Sequence, residues 1–413
     1  MSTSFPAILD AAHRRCFVGG EPMLFHCHHY NTFLQRSIQD AYYIESRPFL
    51  IGGAAEVAHA QLLSLFRELH LESAAERMAV ASELYRWAGF GTFDLSSLGP
   101  DGGSVATTSS HYAMAWRAKW HGASSPVCLF ASGWLAGAAA AVFGLPNGSF
   151  NVSHETCRAS SESPTCIFEL ARAAANYPVF APVGAGPLTE HRPRSIDTAP
   201  VDYEGIFGAL TGMEIVGDAN GVIPAFGVFL TRHYANYYNR ISFEFLRSAI
   251  AQFGDAGREV VEPLLIEAGH VCAFNTFGGI MTSSEWDALI RPNLTTREHW
   301  VHGMTAAANA LGWGRWQVRE VSTRGAEFIL HDDYESIGHL GMYGRAQNNV
   351  SYLAEGGAIG LMNLVYYGDI ASKPTLDETF YDRLFKGEGG YCAKVERSQA
   401  MGDDVTVIHV RHV

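Results

Sequence analysis

An α+β fold made of two duplicated domains, each with antiparallel strands packed against several helices, is what this sequence predicts. Two observations predict it: the order of the hydrophobic patterns and an internal repeat. In each half of the 413-residue chain helical periodicity comes first and strand alternation follows. That order argues against a doubly wound α/β sheet, in which strands and helices alternate. The length points the same way, because a single core rarely grows to this size.

The repeat is read from matched blocks. His29-Tyr30…Phe33…Arg36 returns as His233-Tyr234…Tyr237…Arg240, and Gly89-Phe90-Gly91-Thr92-Phe93 returns as Gly312-Trp313-Gly314-Arg315-Trp316. Gly133 and Phe143-Gly144 return as Gly357 and Tyr367-Gly368, and Cys166 as Cys392. The spacing between copies grows in order along the chain, as an insertion in the second copy would make it. Between the copies, 178–200 is rich in proline, which fixes φ and removes donors, so it reads as an extended connector. The expected division is 1–182 for the first domain, 183–204 for the linker and 205–413 for the second domain.

Helices are expected over 30–45, 54–70 and 74–87, with counterparts over 234–253, 257–269 and 296–311. Glycine-punctuated strands are expected at 91–94 and 104–108, and at 315–321 and 326–331. A small-residue helix and a closing hairpin end each copy, with last strands at 166–170, and at 392–397 with 405–410. The stretch 126–146 carries no charge and is long enough to span a bilayer. It is rich in Ala, Gly and Ser and lacks basic flanks, so it reads as a closely packed buried helix.

Composition narrows the function. Hydrophobic residues at 47% exclude a largely disordered chain. Lys and Arg number 29 against 42 acids, a net charge of −13, and no basic cluster offers itself to phosphate. Nucleic acid and anionic membranes are therefore poor partners. The first residues show no apolar signal core, and seven cysteines form an odd set in a long chain. Reduced thiols in a cytoplasmic protein are the expectation.

The most specific local signal is Cys128…His154-Glu155-Thr156-Cys157…Cys166. Thiolates and imidazoles favour zinc, and a closed tetrahedral site takes four of them. In an undistorted strand Glu155, not His154, would share the face of Cys157. A bulge would reverse that choice. Ligand chemistry favours His154 as the fourth ligand, with Glu155 as the alternative.

The run Pro126-Val-Cys-Leu-Phe-Ala-Ser-Gly-Trp-Leu-Ala-Gly-Ala-Ala-Ala-Ala-Val-Phe-Gly144, continued by Cys157-Arg-Ala159 and Thr165-Cys-Ile-Phe168, resembles the 4-vinyl reductase domain family. Those are small-molecule-binding domains found in aromatic-sensing bacterial regulators and in a protein linked to chlorophyll biosynthesis. The resemblance implies zinc held by Cys128, Cys157 and Cys166. It also implies a carboxylate three positions before the middle cysteine, where this chain has His154. The second copy resembles the family at Glu335-Ser-Ile-Gly-His339-Leu…Tyr343-Gly344, but Tyr352 stands at the matched place of Cys128 and only Cys392 remains of the thiols. No zinc is expected there. By the same analogy His111, Tyr112, Trp116 and Trp134 are candidates for lining a ligand pocket.

Phe25-His-Cys-His-His-Tyr30 is the densest histidine cluster. His26, His28 and His29 are candidate metal ligands or acid/base groups; repetition at His233 favours a structural role for His29. His299 and His302 read as a solvated or capping face. Two function classes stand. One is a small-molecule-binding protein for an apolar or aromatic ligand with a structural zinc, acting through a partner or as a homodimer. The alternative is a metal-dependent enzyme working through the His26/His28/His29 cluster.

Overall fold

Seven consecutive buried residues, Glu21–Cys27, form a strand whose sequence does not alternate because both of its faces are covered. In this computed structural model, which describes residues 5–189, 200–387 and 389–413, that strand is β3. It follows β1 (Ala7–Asp10) and β2 (Arg15–Val18). Helices His28–Asp40, Arg47–Glu68 and Ala74–Trp87 come next, then β4 (Gly102–Thr107). Helices His111–Trp120 and Leu129–Val142 precede the hairpin of β5 (Phe150–Thr156) and β6 (Cys166–Arg172).

The second half runs in a comparable order, with an added first helix, two strands before its helices and two after them. After the helix Tyr203–Thr211 come β7 (Ile223–Ala225), β8 (Val228–Tyr234), and helices Ala235–Phe253, Asp255–Cys272 and Arg297–Ala310. β9 (Arg315–Ser322) and β10 (Gly325–His331) lead to helices Tyr334–Tyr343, Tyr352–Met362 and Glu378–Phe385. The hairpin of β11 (Tyr391–Arg397) and β12 (Thr406–His412) closes the chain. The fold is α+β with three antiparallel sheets, ordered β1-β2-β3-β8-β7, β4-β6-β5 and β11-β12-β10-β9.

The five-stranded sheet draws on both halves. β3 pairs with β8 from Met23↔Tyr234 to Cys27↔Leu230, and each strand is also pinned to the far half. The Phe25 amide donates to Leu311 O at 2.8 Å, and the Arg232 amide donates to Ala88 O at 2.8 Å. These reciprocal bonds set the correspondence between halves. His26, not His29, takes the place matching His233, a correction of three residues. The expectation of helices first in each half also missed β1–β3 and β7–β8.

Close helix packing holds the end of the glycine-rich helix in place beneath the β4–β6 sheet. A Cβ on Gly133 would lie 2.0 Å from Ile51 O, and one on Gly356 would lie 2.2 Å from Ile266 O. Only glycine lets these backbones meet, and the matching pair is Gly133 with Gly356, one residue from the sequence match. All fourteen residues of Leu129–Val142 are buried, as expected of a closely packed helix. Among the described residues two helices are long and apolar enough to cross a membrane, Arg47–Glu68 and Asp255–Thr282, and both are mostly buried within the protein.

Of the expected linker 183–204, residues 190–199 lie outside the described residues. The described part is docked: Thr189 donates through its amide and hydroxyl to the Asp332 carboxylate at 3.0 and 2.9 Å. A buried ion pair also joins the halves, Arg240 Nε and Nη2 donating to the two Glu56 oxygens at 2.9 and 3.1 Å.

Candidate metal centre

Cys128 sits at the N-cap of the glycine-rich helix, Cys157 just past the end of β5, and Cys166 opens β6 opposite Thr107. Cys128 Sγ is 4.0 Å from both Cys157 Sγ and Cys166 Sγ. Sulfurs around a tetrahedral zinc with bonds of about 2.3 Å stand roughly 3.8 Å apart, so these three are spaced for one ion.

The fourth position depends on a bulge. His154 pairs with Phe168 and Thr156 with Ile167, so Glu155 is the extra residue in β5. The bulge turns His154 onto the sulfur side and Glu155 to solvent, where it accepts from the Ser153 hydroxyl. His154 stacks on Phe168 at 4.3 Å and 17°. Both of its ring nitrogens are buried without a hydrogen-bond partner. A buried imidazole with nothing to bond costs free energy unless something else takes its lone pair. The ligand atoms of Cys128, His154, Cys157 and Cys166 all lie within 4.8 Å of one another. This group can hold a metal ion, and its donors suit a soft or borderline one.

The surroundings favour a thiolate. Hydrogen bonds from the Cys128 and Cys166 thiols lower Cys157, and the nearby His154 adds to this although no ring nitrogen meets hydrogen-bond geometry. Burial pushes Cys128 well up. Ser110 Oγ stands 3.2 Å from Cys128 Sγ, and the Arg158 amide donates to Cys166 Sγ at 3.4 Å.

The matching corner of the second half is built from oxygen. Ser351 holds the N-cap place of Cys128, and Thr406, opposite Leu330, holds that of Cys166. Val395 precedes an equivalent bulge, and Ser398 follows the strand as Cys157 does. Tyr352, matched by sequence to Cys128, therefore lies beside the corner and not in it, and Cys392, matched to Cys166, pairs with Arg411 at the far end of β11. Asp333 fills the centre, accepting from Ser351 Oγ at 3.1 Å, Thr406 Oγ1 at 3.0 Å and the Ser336 amide at 3.0 Å. Burial raises the Asp333 carboxyl.

The three histidines do not converge on one point: the His28 and His29 rings lie 3.9 Å apart, and His26 packs elsewhere. His26 is fully buried, 3.2 Å from Cys272 Sγ and stacked on Trp313, and burial holds it well below its ordinary pKa. His28 accepts from the Phe229 amide at 3.2 Å. His29 turns outward toward a cavity of about 550 Å³. Burial lowers His28 to about 4 and His29 to about 2.

The four pocket candidates are buried among partners. His111 Nε2 accepts from Asn31 at 3.0 Å, Tyr112 Oη lies 3.1 Å from His233 Nε2, and Trp134 donates to Tyr234 Oη at 3.0 Å. Trp116 packs on Trp120 at 4.6 Å. None of the four lines the 550 Å³ cavity, although Trp120 does. His299 serves as expected, accepting from the Thr295 amide at 3.3 Å. His302 does not: it is buried against the Tyr203 hydroxyl at 3.0 Å.

No family model and no curated protein matches the chain. Among solved structures, the phenol-responsive sensory domain of the transcription activator PoxR, determined with phenol, is similar at 13% identity with a TM-score of 0.33. The match covers 46% of this chain and 80% of that one.

Proposed function

We propose that this chain is a cytosolic small-molecule-binding protein of two duplicated domains, divided near 182 and 205, with one structural zinc in the first. The zinc is held by Cys128, His154, Cys157 and Cys166. The observation that carries this reading is the half-buried His154 ring, whose two nitrogens are buried and unbonded, within ligand distance of three sulfurs. Three thiolates and an imidazole make a closed set that leaves no position for substrate, so the metal supplies stability and not chemistry. It fastens the β5–β6 turn to the N-terminus of the glycine-rich helix.

A small apolar or aromatic molecule is the ligand class implied by the family resemblance of the same residues. His111, Tyr112, Trp116 and Trp134 are the ligand-lining residues the same resemblance implies; they pack against protein partners and do not line the 550 Å³ cavity. No separate observation favours catalysis at His26, His28 and His29: the His28 and His29 rings lie 3.9 Å apart, but His26 packs away from them against Cys272 and Trp313.

Native mass spectrometry of the purified full chain tests the proposal. One zinc per chain is expected, lost in Cys157→Ser and weakened in His154→Ala. A folded wild-type chain that takes up no zinc from a metal-supplemented buffer would overturn it.

A further inference from the structure

The 550 Å³ cavity lies away from the sulfur corner. One wall comes from helices His28–Asp40 and His111–Trp120 of the first half. The other comes from Val271, Phe274 and the helix Glu378–Phe385 of the second half. Its size is that of a small-molecule site.

Its inner charges are unevenly matched. Lys119 is half-buried, with its ammonium 5.1 Å from the Trp120 ring and 5.8 Å from Phe33. Among the described residues no carboxylate comes within ion-pair distance of it, and burial lowers its pKa. On the facing wall the Tyr381 hydroxyl is buried without a hydrogen-bond partner. A half-buried cation and a buried hydroxyl opening on one cavity, both lacking an acceptor among the described residues, ask for the same kind of guest.

The acids nearby are differently placed. Asp40, Asp377 and Glu378 are exposed at the mouth, where water and salt weaken them. Asp40 is paired with Arg36 at 3.2 Å; Asp382 Oδ1 lies 2.8 Å from Lys386 Nζ but is buried and makes no hydrogen bond with it. Glu267, half-buried on the inner wall, has no such partner among the described residues and opposes any negative charge beyond the one Lys119 offsets.

We infer that this cavity binds a small aromatic monoacid, its carboxylate held by Lys119 and the Tyr381 hydroxyl and its ring lying among Phe33, Trp120 and Phe274. The inference deepens the proposed ligand class: it gives that class a charge and a location between the halves.

Titration calorimetry on the full chain, with benzoate, benzamide, benzylamine and phthalate as probes, tests it. Benzoate is expected to bind at least about tenfold tighter than benzamide, with benzylamine and the dianion phthalate weaker still. Lys119→Met removes the preference for benzoate over benzamide. Tyr381→Phe, which keeps the ring, weakens benzoate severalfold and serves if the lysine variant does not fold. Equal affinity for benzoate and benzamide, tightest binding of benzylamine, or no binding of any probe at millimolar concentration would overturn the inference. Zinc content measured on the same sample separates the two readings. A zinc-loaded chain that binds benzamide without preferring benzoate sinks only this inference; a metal-free chain that prefers benzoate sinks only the zinc.

Discussion

The sulfur corner of the first half and the oxygen corner of the second occupy matching places and are held shut by different chemistry. Both join a helix N-cap, a bulged strand and the start of the neighbouring strand. At Cys128, Cys157 and Cys166 three sulfurs stand about one metal's width apart, and nothing between them makes a strong bond. In the second corner the Ser351 and Thr406 hydroxyls and the Ser336 amide donate to the Asp333 carboxylate, while the Ser398 hydroxyl is buried without a hydrogen-bond partner. A backbone corner of this shape needs a fastener, and a metal or an internal carboxylate can serve. The first is conditional on a cation; the second is always present.

Stability should therefore part the two corners. Chelation, or Cys157→Ser, is expected to release the β4–β6 sheet, because a structural zinc contributes on the order of 10 kcal/mol to the fold it closes. Asp333→Ala should cost less, about 2–4 kcal/mol, by leaving buried donors without an acceptor. Hydrogen exchange resolved over β4–β6 and over β9–β12 checks both, and each change should loosen its own sheet first. Equal loosening of both sheets by chelation would mean that the corners are not independent.

The same contrast governs how much of the molecule is legible in its sequence. Cysteine is rare and chemically marked, so Cys128, Cys157 and Cys166 are legible as one site from their identities. Serine and threonine carry no such mark. Ser351 and Thr406 go unseen, while Cys392 and Tyr352 draw the match instead. A π-helical turn at Asn363–Tyr367 sits between Gly357 and the Tyr367-Gly368 block and helps pull that match one residue out of register. The helices and the order of the last hairpins are legible from periodicity. β3 is not, because burial on both faces removes alternation and its partner β8 lies some 200 residues away. The cavity at Lys119 is also invisible: its walls meet only once the halves pack, and a lysine between tryptophans has no spacing signature.

The corners should also respond to pH with opposite sign. Metal binding needs deprotonated thiols and imidazole, so protection of β4–β6 should rise from pH 5 to pH 8. Asp333 behaves otherwise. Burial raises its pKa above the ordinary aspartate value of 3.8, so the folded state holds its proton longer than the unfolded chain does. Its stabilising effect is complete below the unfolded value and is lost as pH climbs through the folded one. Protection of β9–β12, corrected for intrinsic exchange rates, should fall over that window. Asp333→Asn should flatten the fall, and a rise in both sheets would contradict the assignment.

The smallest expected effect is the sharpest test of the local geometry. Glu155 and His154 are neighbours, and an unbulged strand would have aimed the carboxylate at Cys157 and the imidazole at solvent. The bulge inverts this, leaving Glu155 bonded to Ser153 outside. Glu155→Gln should then change metal content not at all and stability by less than about 0.5 kcal/mol, as surface substitutions do. At the matching bulge, Glu396 also faces out, paired with His409 at 2.5 Å, and Glu396→Gln should be as mild. If Glu155→Gln stripped the metal while His154→Ala kept it, the strand would be in the other register, and the imidazole would lose its claim as fourth ligand.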